Sequence, residues 1–482
     1  MIKLKTVRKW HLLLIWPATL SMLIYILSAF AHPLAGWVGP QPQRNTPSRI
    51  ETDISSINGI EKIIYKHQLS TATSAKLVPF KEQLLLQVTP NKAEVSRYFS
   101  MESHHELVNH SQQQALWLAE HFVGEPLKIN YVDFKAAFDT DYPASNKLLP
   151  VYIIHYDTKD GLTVVIHPQS SSLVFMSNHW KRILKKIFRN FHAFDWLNEF
   201  EALRLLLVSA MLALTLIMSI TGLYFLLIVK RKNTIKKTDR RWHRRLAYLV
   251  IVPLFLFSIS GFYHLFQSSL YTPTIVSPKK QTLNLADWQQ RDFNGHNLNY
   301  KYINGISLLL SETALYRITL TENKDIKTKD VIIYINAKSR KKYIKGEDQI
   351  IKESISDRLN ISLNDIQHSK LIKRFGEGYS FKNKRLPVWQ VTLKNGHQYY
   401  IDPVNNEIIQ FNDLLTRIES FSFSTLHMFG WLKPLIGHTG RDGVFTILLL
   451  LSFVLSIVGL TLHLSNTRSR KSVKADLAGV ER

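Results

Sequence analysis

Apolar residues in this chain are pooled, and the pooling sets the architecture before any motif is considered. Four runs carry them: Leu12 to Ala31, about Leu203 to Val229, Leu246 to Phe266, and Val444 to Leu464. As a helix rising about 1.5 Å per residue, each run is long enough to cross the ~30 Å hydrocarbon core of a bilayer. Between the first and second runs, and again between the third and fourth, lie polar stretches of roughly 160 to 175 residues, the size of a domain. The pattern predicts a four-span α-helical membrane protein with two large domains outside the bilayer. The length of 482 residues agrees, since a single core seldom organises that much chain. Composition alone, with 45% hydrophobic and 20% charged residues, would also suit a soluble protein, so the clustering decides.

Charge then gives an orientation. Lys3, Lys5, Arg8 and Lys9 precede the first run, and Lys230, Arg231, Lys232, Lys236, Lys237, Arg240, Arg241, Arg244 and Arg245 fill the connection between the second and third. Arg468, Arg470, Lys471 and Lys474 follow the fourth. The positive-inside rule places all three groups in the cytoplasm, and with them both termini, leaving the two large domains outside. Much of the net charge of +24 therefore reports topology, and no nucleic-acid partner is expected. The basic start, apolar run and Ala29-Phe30-Ala31 before His32 also describe a secretory signal. The run is read instead as an anchor, because removing it would leave three spans and spoil a repeat. With no cysteine in the chain, disulfides, thiolate metal sites, iron–sulfur clusters and covalently attached haem are all excluded.

The repeat emerges from self-comparison. Lys9-Trp10-His11 opens the first span and Arg241-Trp242-His243 opens the third, and a second histidine follows 21 positions later in each, as His32 and His264. In the polar stretches, Phe138, Tyr142 and Leu149-Pro150-Val151-Tyr152 are echoed by Phe375, Tyr379 and Leu386-Pro387-Val388-Trp389. A glycine turn at Gly161 or Gly396 follows, then Val165-Ile166-His167-Pro168 or Tyr400-Ile401-Asp402-Pro403, which predicts a strand pair in each stretch. His192-Ala193-Phe194-Asp195-Trp196-Leu197 leads into the second span as His427-Met428-Phe429-Gly430-Trp431-Leu432 leads into the fourth. Within the spans, Ile220-Thr221-Gly222-Leu223 matches Ile457-Val458-Gly459-Leu460. Both copies start inside, run out and return, so they are expected to be parallel repeats about an axis along the membrane normal.

This order, a span, an LPVY-type strand pair ending in YYIDP, and another span, resembles the PepSY-domain transmembrane family of bacterial inner-membrane proteins over nearly the whole chain. The resemblance rests on His11 and His243, Phe191-His192 and Leu426-His427, Thr221-Gly222-Leu223 and Ser260-Gly261-Phe262. The family's glycine after the pre-span histidine is missing at Ala193 to Asp195, and Ser28-Ala29-Phe30 stands where a Thr-Gly pair is usual. The implied organisation is 1–32 as cytoplasmic N-terminus and first span, 33–195 as a periplasmic α+β PepSY-like domain, and 196–229 as the second span. A basic cytoplasmic loop at 230–243, a third span at 244–268, a second PepSY-like domain at 269–440, a fourth span at 441–464 and a cytoplasmic tail at 465–482 complete it. The family includes proteins similar to ferric-siderophore reductases that hold b-type haem between histidines of the four helices. By that likeness, this chain is expected to pass electrons from an unknown donor across the membrane to a ferric chelate such as a siderophore.

The histidines suit that chemistry, because a noncovalent haem needs axial imidazoles from facing helices. His11 and His243, at matched sites near the cytoplasmic face, are expected to clamp one inner haem. His32, His264, His192 and His427 offer four imidazoles near the outer face for one or more outer haems. Resemblance favours His192 and His427, while position on the helix ends favours His32 and His264. His463 is an unpaired extra. His104, His105, His110 and His121 read as a solvated helix, Trp196 and Trp431 as interfacial anchors, and Gly222, Gly261 and Gly459 as points of close approach. Arg441-Asp442 is expected to cap the fourth helix. A second reading makes the chain a cofactor-free membrane-anchored binding or regulatory protein acting on envelope peptides or proteins. A transporter is a third, disfavoured because the spans lack acidic residues and interrupted helices.

Overall fold

The structure is a computed structural model that describes residues 4–44, 50–51, 59–91, 94–229, 238–272, 278–279, 281–288, 302–321, 330–339, 341–376 and 378–480. Much of the basic connection between the second and third runs lies outside the described residues. The helices in chain order are α1 (Leu4–Leu13), α2 (Ile15–Val38), α3 (Ile60–Lys66), α4 (His110–Val123), α5 (His179–Phe188), α6 (Glu201–Ile228), α7 (Thr238–Leu270), α8 (Glu347–Leu359), α9 (Leu414–Phe421) and α10 (Lys433–Val480). The chain divides into two compact units, one of Met1–Gly39, Trp180–Thr272 and Leu415–Arg482, the other of Pro40–His179 and Pro273–Leu414.

The first unit is the membrane part. Segments Ile15–Val38, His179–Ile228, Asp239–Leu270 and Gly430–Ser465 are each long and apolar enough to cross a bilayer, and each overlaps one of the four apolar runs. The helices close into a ring in which α2 touches α6 and α10, and α7 touches the same two. Met22, Ile26, Ala29, Leu246, Val250, Leu254, Phe445 and Leu449 fill much of the interior. Hydroxyl residues share it. Ser258, Ser260 and Ser452 are almost fully buried, and each returns its proton to a carbonyl one turn back, Ser258 to Leu254 at 2.8 Å and Ser452 to Leu448 at 2.7 Å. Such bonds let small polar side chains sit where helices approach closely without leaving a donor unpaired in an apolar medium. α10 is broken at Gly437 (φ 72°, ψ −179°), so the part that carries the fourth apolar run begins just before Arg441 and Asp442, with Arg441 buried and paired to Asp442 at 2.9 Å.

The second unit is α+β. Its strands are β1 (Ile50–Glu51), β2 (Thr71–Ala72), β3 (Ser74–Phe80), β4 (Gln83–Thr89), β5 (Arg97–Ser100), β6 (Ile129–Lys135), β7 (Val151–Tyr156), β8 (Thr163–His167) and β9 (Ser172–Ser177), then β10 (Leu283–Asn284), β11 (Tyr302–Leu310), β12 (Ala314–Thr321), β13 (Val331–Asn336), β14 (Ile366–Ile372), β15 (Val388–Leu393), β16 (Gln398–Asp402) and β17 (Glu407–Asn412). A seven-stranded sheet runs β13-β12-β11-β3-β4-β5, with β1 also on β11. It draws on both polar stretches, joined where β11 pairs antiparallel with β3 at Ile306↔Leu77. Each stretch adds a four-stranded antiparallel sheet, β6-β7-β8-β9 or β14-β15-β16-β17. α4 packs on the first of these through Leu118 and Phe122 against Ile154 and Val164, and α8 on the second through Ile351 and Ile355 against Val391 and Tyr399. The strand pairs turn at Gly161 (φ 63°) and Gly396 (φ 83°), a left-handed conformation that glycine adopts without a Cβ clash. Tyr142 donates to Leu148 O at 2.8 Å, and Tyr379 to Arg385 O at 3.0 Å. His110 corrects an expectation: it is 5% exposed, packed on Phe80 and Tyr98 rather than solvated.

Candidate functional site

Helix ends position the candidate histidines. α5 passes into a π-helical turn, Arg189–Ala193, and α9 into another, Ser422–His427. Such wide turns disturb the regular ladder and often accompany functional sites. His192 and His427 lie on these turns. After each comes a phenylalanine in the left-handed region, Phe194 (φ 56°) and Phe429 (φ 47°). A non-glycine residue there costs on the order of 1–3 kcal/mol. Both rings are buried in apolar clusters, which offsets that cost. Asp195 then holds Arg189 at 2.6 Å, while Gly430 lies so near Ser424 O that a Cβ would come within 2.7 Å.

The two turns bring His192 and His427 together, with ring centroids 6.4 Å apart and planes at 73°. Their surroundings match. Phe188 stacks on His192 at 4.6 Å, and Phe423 on His427 at 5.1 Å. Tyr25 meets the first ring edge-on at 5.4 Å, and Phe257 the second at 5.7 Å. Ser28 Oγ lies 3.1 Å from His192 Nδ1, and Ser260 Oγ 3.2 Å from His427 Nδ1. Backbone bonds tie His192 to Tyr25 and His427 to Phe257, whose carbonyls also accept from the two serines. Nδ1 is thus engaged in both rings, which leaves Nε2 as the nitrogen for a metal. With metal–nitrogen bonds of about 2.0 Å, two imidazoles facing one metal have ring centres roughly 6 Å apart, so the observed spacing fits.

His32 and His264 are arranged differently. His32 is exposed and reaches Phe188 at 6.2 Å. His264 packs on Phe423 at 4.5 Å and binds Glu419 through Nδ1 at 2.5 Å. Among the described residues, the ring contact between candidate histidines is that of His192 with His427.

At the other end, where α6 gives way to α7, His11 Nδ1 lies 2.8 Å from Thr221 Oγ1, and that hydroxyl donates onward to Met218 O at 3.1 Å. The serial bond makes Thr221 the acceptor and His11 Nδ1 the donor. Phe225 meets the His11 ring edge-on at 5.4 Å. His243 lies against α10, where a Cβ on Gly459 would come 3.0 Å from its Cε1 and 3.5 Å from its Nδ1. That Nδ1 is buried, with the Leu455 backbone rather than a side chain as its acceptor. His11 and His243 are near enough to interact electrostatically.

Pairs of imidazoles are too few to hold a bare metal ion, which takes four or more ligands. Among the described residues no group of three or more His, Asp or Glu side chains could hold one. A haem brings its own equatorial ligands and asks the protein for one or two axial ones. The paired rings of His192 and His427, and His243 seated against Gly459 near His11, fit that demand. The serines, the stacked phenylalanines and Glu419 were not foreseen. Matched Ser28 and Ser260, and phenylalanine four residues before each histidine, were the available signals. A family model described as PepSY-associated TM region matches residues 12–296. No curated protein matches the chain.

Proposed function

Because the chain belongs to the family of PepSY-associated TM regions, more than half of its length matching, we propose that it is a b-type haem protein of the bacterial inner membrane that reduces a ferric chelate outside. The carrying observation is the approach of His192 and His427 within matching cages. In this reading the chain is a duplication of one unit, span, domain, span, with both termini cytoplasmic and the α+β unit periplasmic. The basic residues flanking the spans support the orientation. Support for the duplication comes from the paired π-turns, left-handed phenylalanines and four-stranded sheets.

His11 and His243 hold the inner haem, and His192 with His427 an outer one; His32 and His264 are the remaining outer imidazoles. Haem supplies one-electron transfer at its iron. The protein's residues supply position. Thr221 orients His11, while Ser28, Ser260 and two carbonyls orient the outer rings. His427 packs beside Ser260 and Gly261, one turn short of His264 along α7. The rise from His243 to that level is about 26 Å, against about 31 Å to His264, so this pair also shortens the electron's path.

The substrate is a ferric ion in hard oxygen donors, which the softer ferrous ion suits poorly, so reduction loosens the chelate. A basic, aromatic surface supports an anionic chelate. Lys147 reaches Asn383 at 2.6 Å, Lys384 lies over Phe381 at 4.9 Å, and Phe138 and Phe375 are each 40% exposed nearby in the sequence.

Visible spectroscopy of the purified protein tests the reading. Soret and α bands of b-type haem are expected, with His11→Ala and His243→Ala removing one component and His192→Ala and His427→Ala another. A colourless protein refutes the proposal and leaves the cofactor-free binding role.

A further inference from the structure

α5 reads HWKRILKKIF, and Trp180, Ile183 and Ile187 recur at helical spacing, continued by Phe191 in the π-turn. Such spacing gathers apolar side chains on one helix face. No residue of α5 is buried. Trp180 is 61% exposed and Phe191 54%, a continuation of the open apolar surface at Trp196, Phe200 and Leu203 that leads into the second span. Arg182, Lys185 and Lys186 are exposed on the same helix. A short basic amphipathic helix joined to a span, its apolar stripe running into that span's lipid-facing surface, is built to lie in the bilayer interface.

We propose that α5 recognises anionic phospholipid headgroups, with Trp180, Ile183, Ile187 and Phe191 in the acyl boundary and Arg182, Lys185 and Lys186 at the phosphates. Charge complementarity and continuity with the lipid-facing span identify this occupant. α9 is the internal contrast. It leads into the other π-turn and exposes Leu415, Ile418 and Phe421, but carries one arginine, Arg417, and its Glu419 is bound to His264 at 2.5 Å. It has the apolar stripe without the basic cluster, so headgroup preference resides in α5. In the orientation proposed above, basic residues beside the outer end of a span oppose the positive-inside tendency, and anionic lipid in that leaflet offsets the opposition. The inference itself needs neither haem nor siderophore.

The test uses the full-length protein in nanodiscs containing brominated phosphatidylglycerol or brominated phosphatidylcholine, with quenching assigned to Trp180 by difference from Trp180→Phe. Several-fold stronger quenching by the phosphatidylglycerol is expected at low salt, declining toward equality near 1 M salt, where the Debye length is about 3 Å. The combined Arg182→Gln, Lys185→Gln, Lys186→Gln variant is expected to lose the preference. Arg182→Lys, Lys185→Arg, Lys186→Arg and, separately, Arg417→Gln should keep it. A triple glutamine variant that keeps the wild-type preference, a wild-type preference insensitive to salt, or no quenching of Trp180 by either lipid would each overturn the proposal. The salt series on the unaltered protein stands even if the triple variant fails to fold.

Discussion

Gly459→Ala offers a sharp test because two effects of known size oppose one another. Alanine in place of glycine within a helix stabilises by about 1 kcal/mol through backbone entropy. At Gly459 the new methyl would lie 3.0 Å from His243 Cε1 and 3.5 Å from its Nδ1, so the imidazole must move by a few tenths of an ångström. Overpacking of a tight contact costs about 1–3 kcal/mol, which cancels or exceeds the helical gain. Gly222 is the control: its Cβ would meet the Ile251 Cδ1 methyl at 3.1 Å, the mobile end of a side chain, and touch no histidine. Gly222→Ala should therefore raise the melting temperature or leave it unchanged, with full pigment. Gly459→Ala should lose thermal stability relative to Gly222→Ala and also lose inner-haem absorbance, since displaced ligand surroundings typically weaken metal binding by about 10–100-fold. Thermal unfolding in detergent and haem-to-protein stoichiometry measure the two separately. If Gly459→Ala keeps both the wild-type melting temperature and the wild-type inner-haem band, the placement of His243 against α10 is wrong.

Other expectations follow from particular contacts. Ser28→Ala and Ser260→Ala remove the Nδ1 contacts of His192 and His427, and each should weaken or shift the outer haem band while sparing the inner one in redox-monitored spectra. Val458→Thr supplies at the position matching Thr221 the hydroxyl that His11 has and His243, held by the Leu455 backbone, lacks, and inner-haem retention during dilution should rise. Glu347 accepts from Arg317 at 2.9 Å, Tyr334 at 2.8 Å and Trp389 at 2.9 Å; Glu347→Ala strands a buried guanidinium and should cost about 3–5 kcal/mol in chemical denaturation. Burial, then the neighbouring Arg385, pushes the His167 imidazole down to about 3, and its neutral form is bonded at both nitrogens, to Ser170 and to Leu149 O. Its stabilising contribution is complete above the unfolded value near 6.5 and is lost as pH falls toward 3, so His167→Gln should flatten the acid limb of a stability–pH profile.

The spans were legible because a bilayer demands long apolar helices, but their ends were not. A helical segment from Lys433 breaks at Gly437 before the helix that carries the run near Val444, and at the start of that helix Arg441 is buried, pairs with Asp442 and reaches back to Met428 O at 3.4 Å. The hairpins around Gly161 and Gly396 were legible because a left-handed turn between apolar runs leaves a local mark. The seven-stranded sheet was not, since pairing between Ile306 and Leu77 joins residues too far apart to leave one. For the site, the histidines were visible and their partners were not. Which outer pair meets depends on two π-turns and two left-handed phenylalanines, features of backbone geometry that no residue type announces.

Under the proposed duplication of a helix pair the imidazoles come in matched sets, but their neighbours differ, and there the sets acquire direction. His11 has Thr221 at 2.8 Å, whereas the matching position beside His243 is Val458, which has no hydroxyl to offer. His264 has Glu419 at 2.5 Å, whereas the position matching Glu419 in the first half is Leu184. A ring whose N–H is anchored by an acceptor is a stronger and better-oriented ligand than one whose second nitrogen has no partner. The inner pair thus combines one imidazole held by a side-chain hydroxyl and one held by the Leu455 backbone alone, while the outer pair is held alike on both sides by Ser28 and Ser260. In the proposed haem reading, two sites with such unlike neighbours need not share a potential, and a difference between inner and outer potentials is what electron flow in one direction requires.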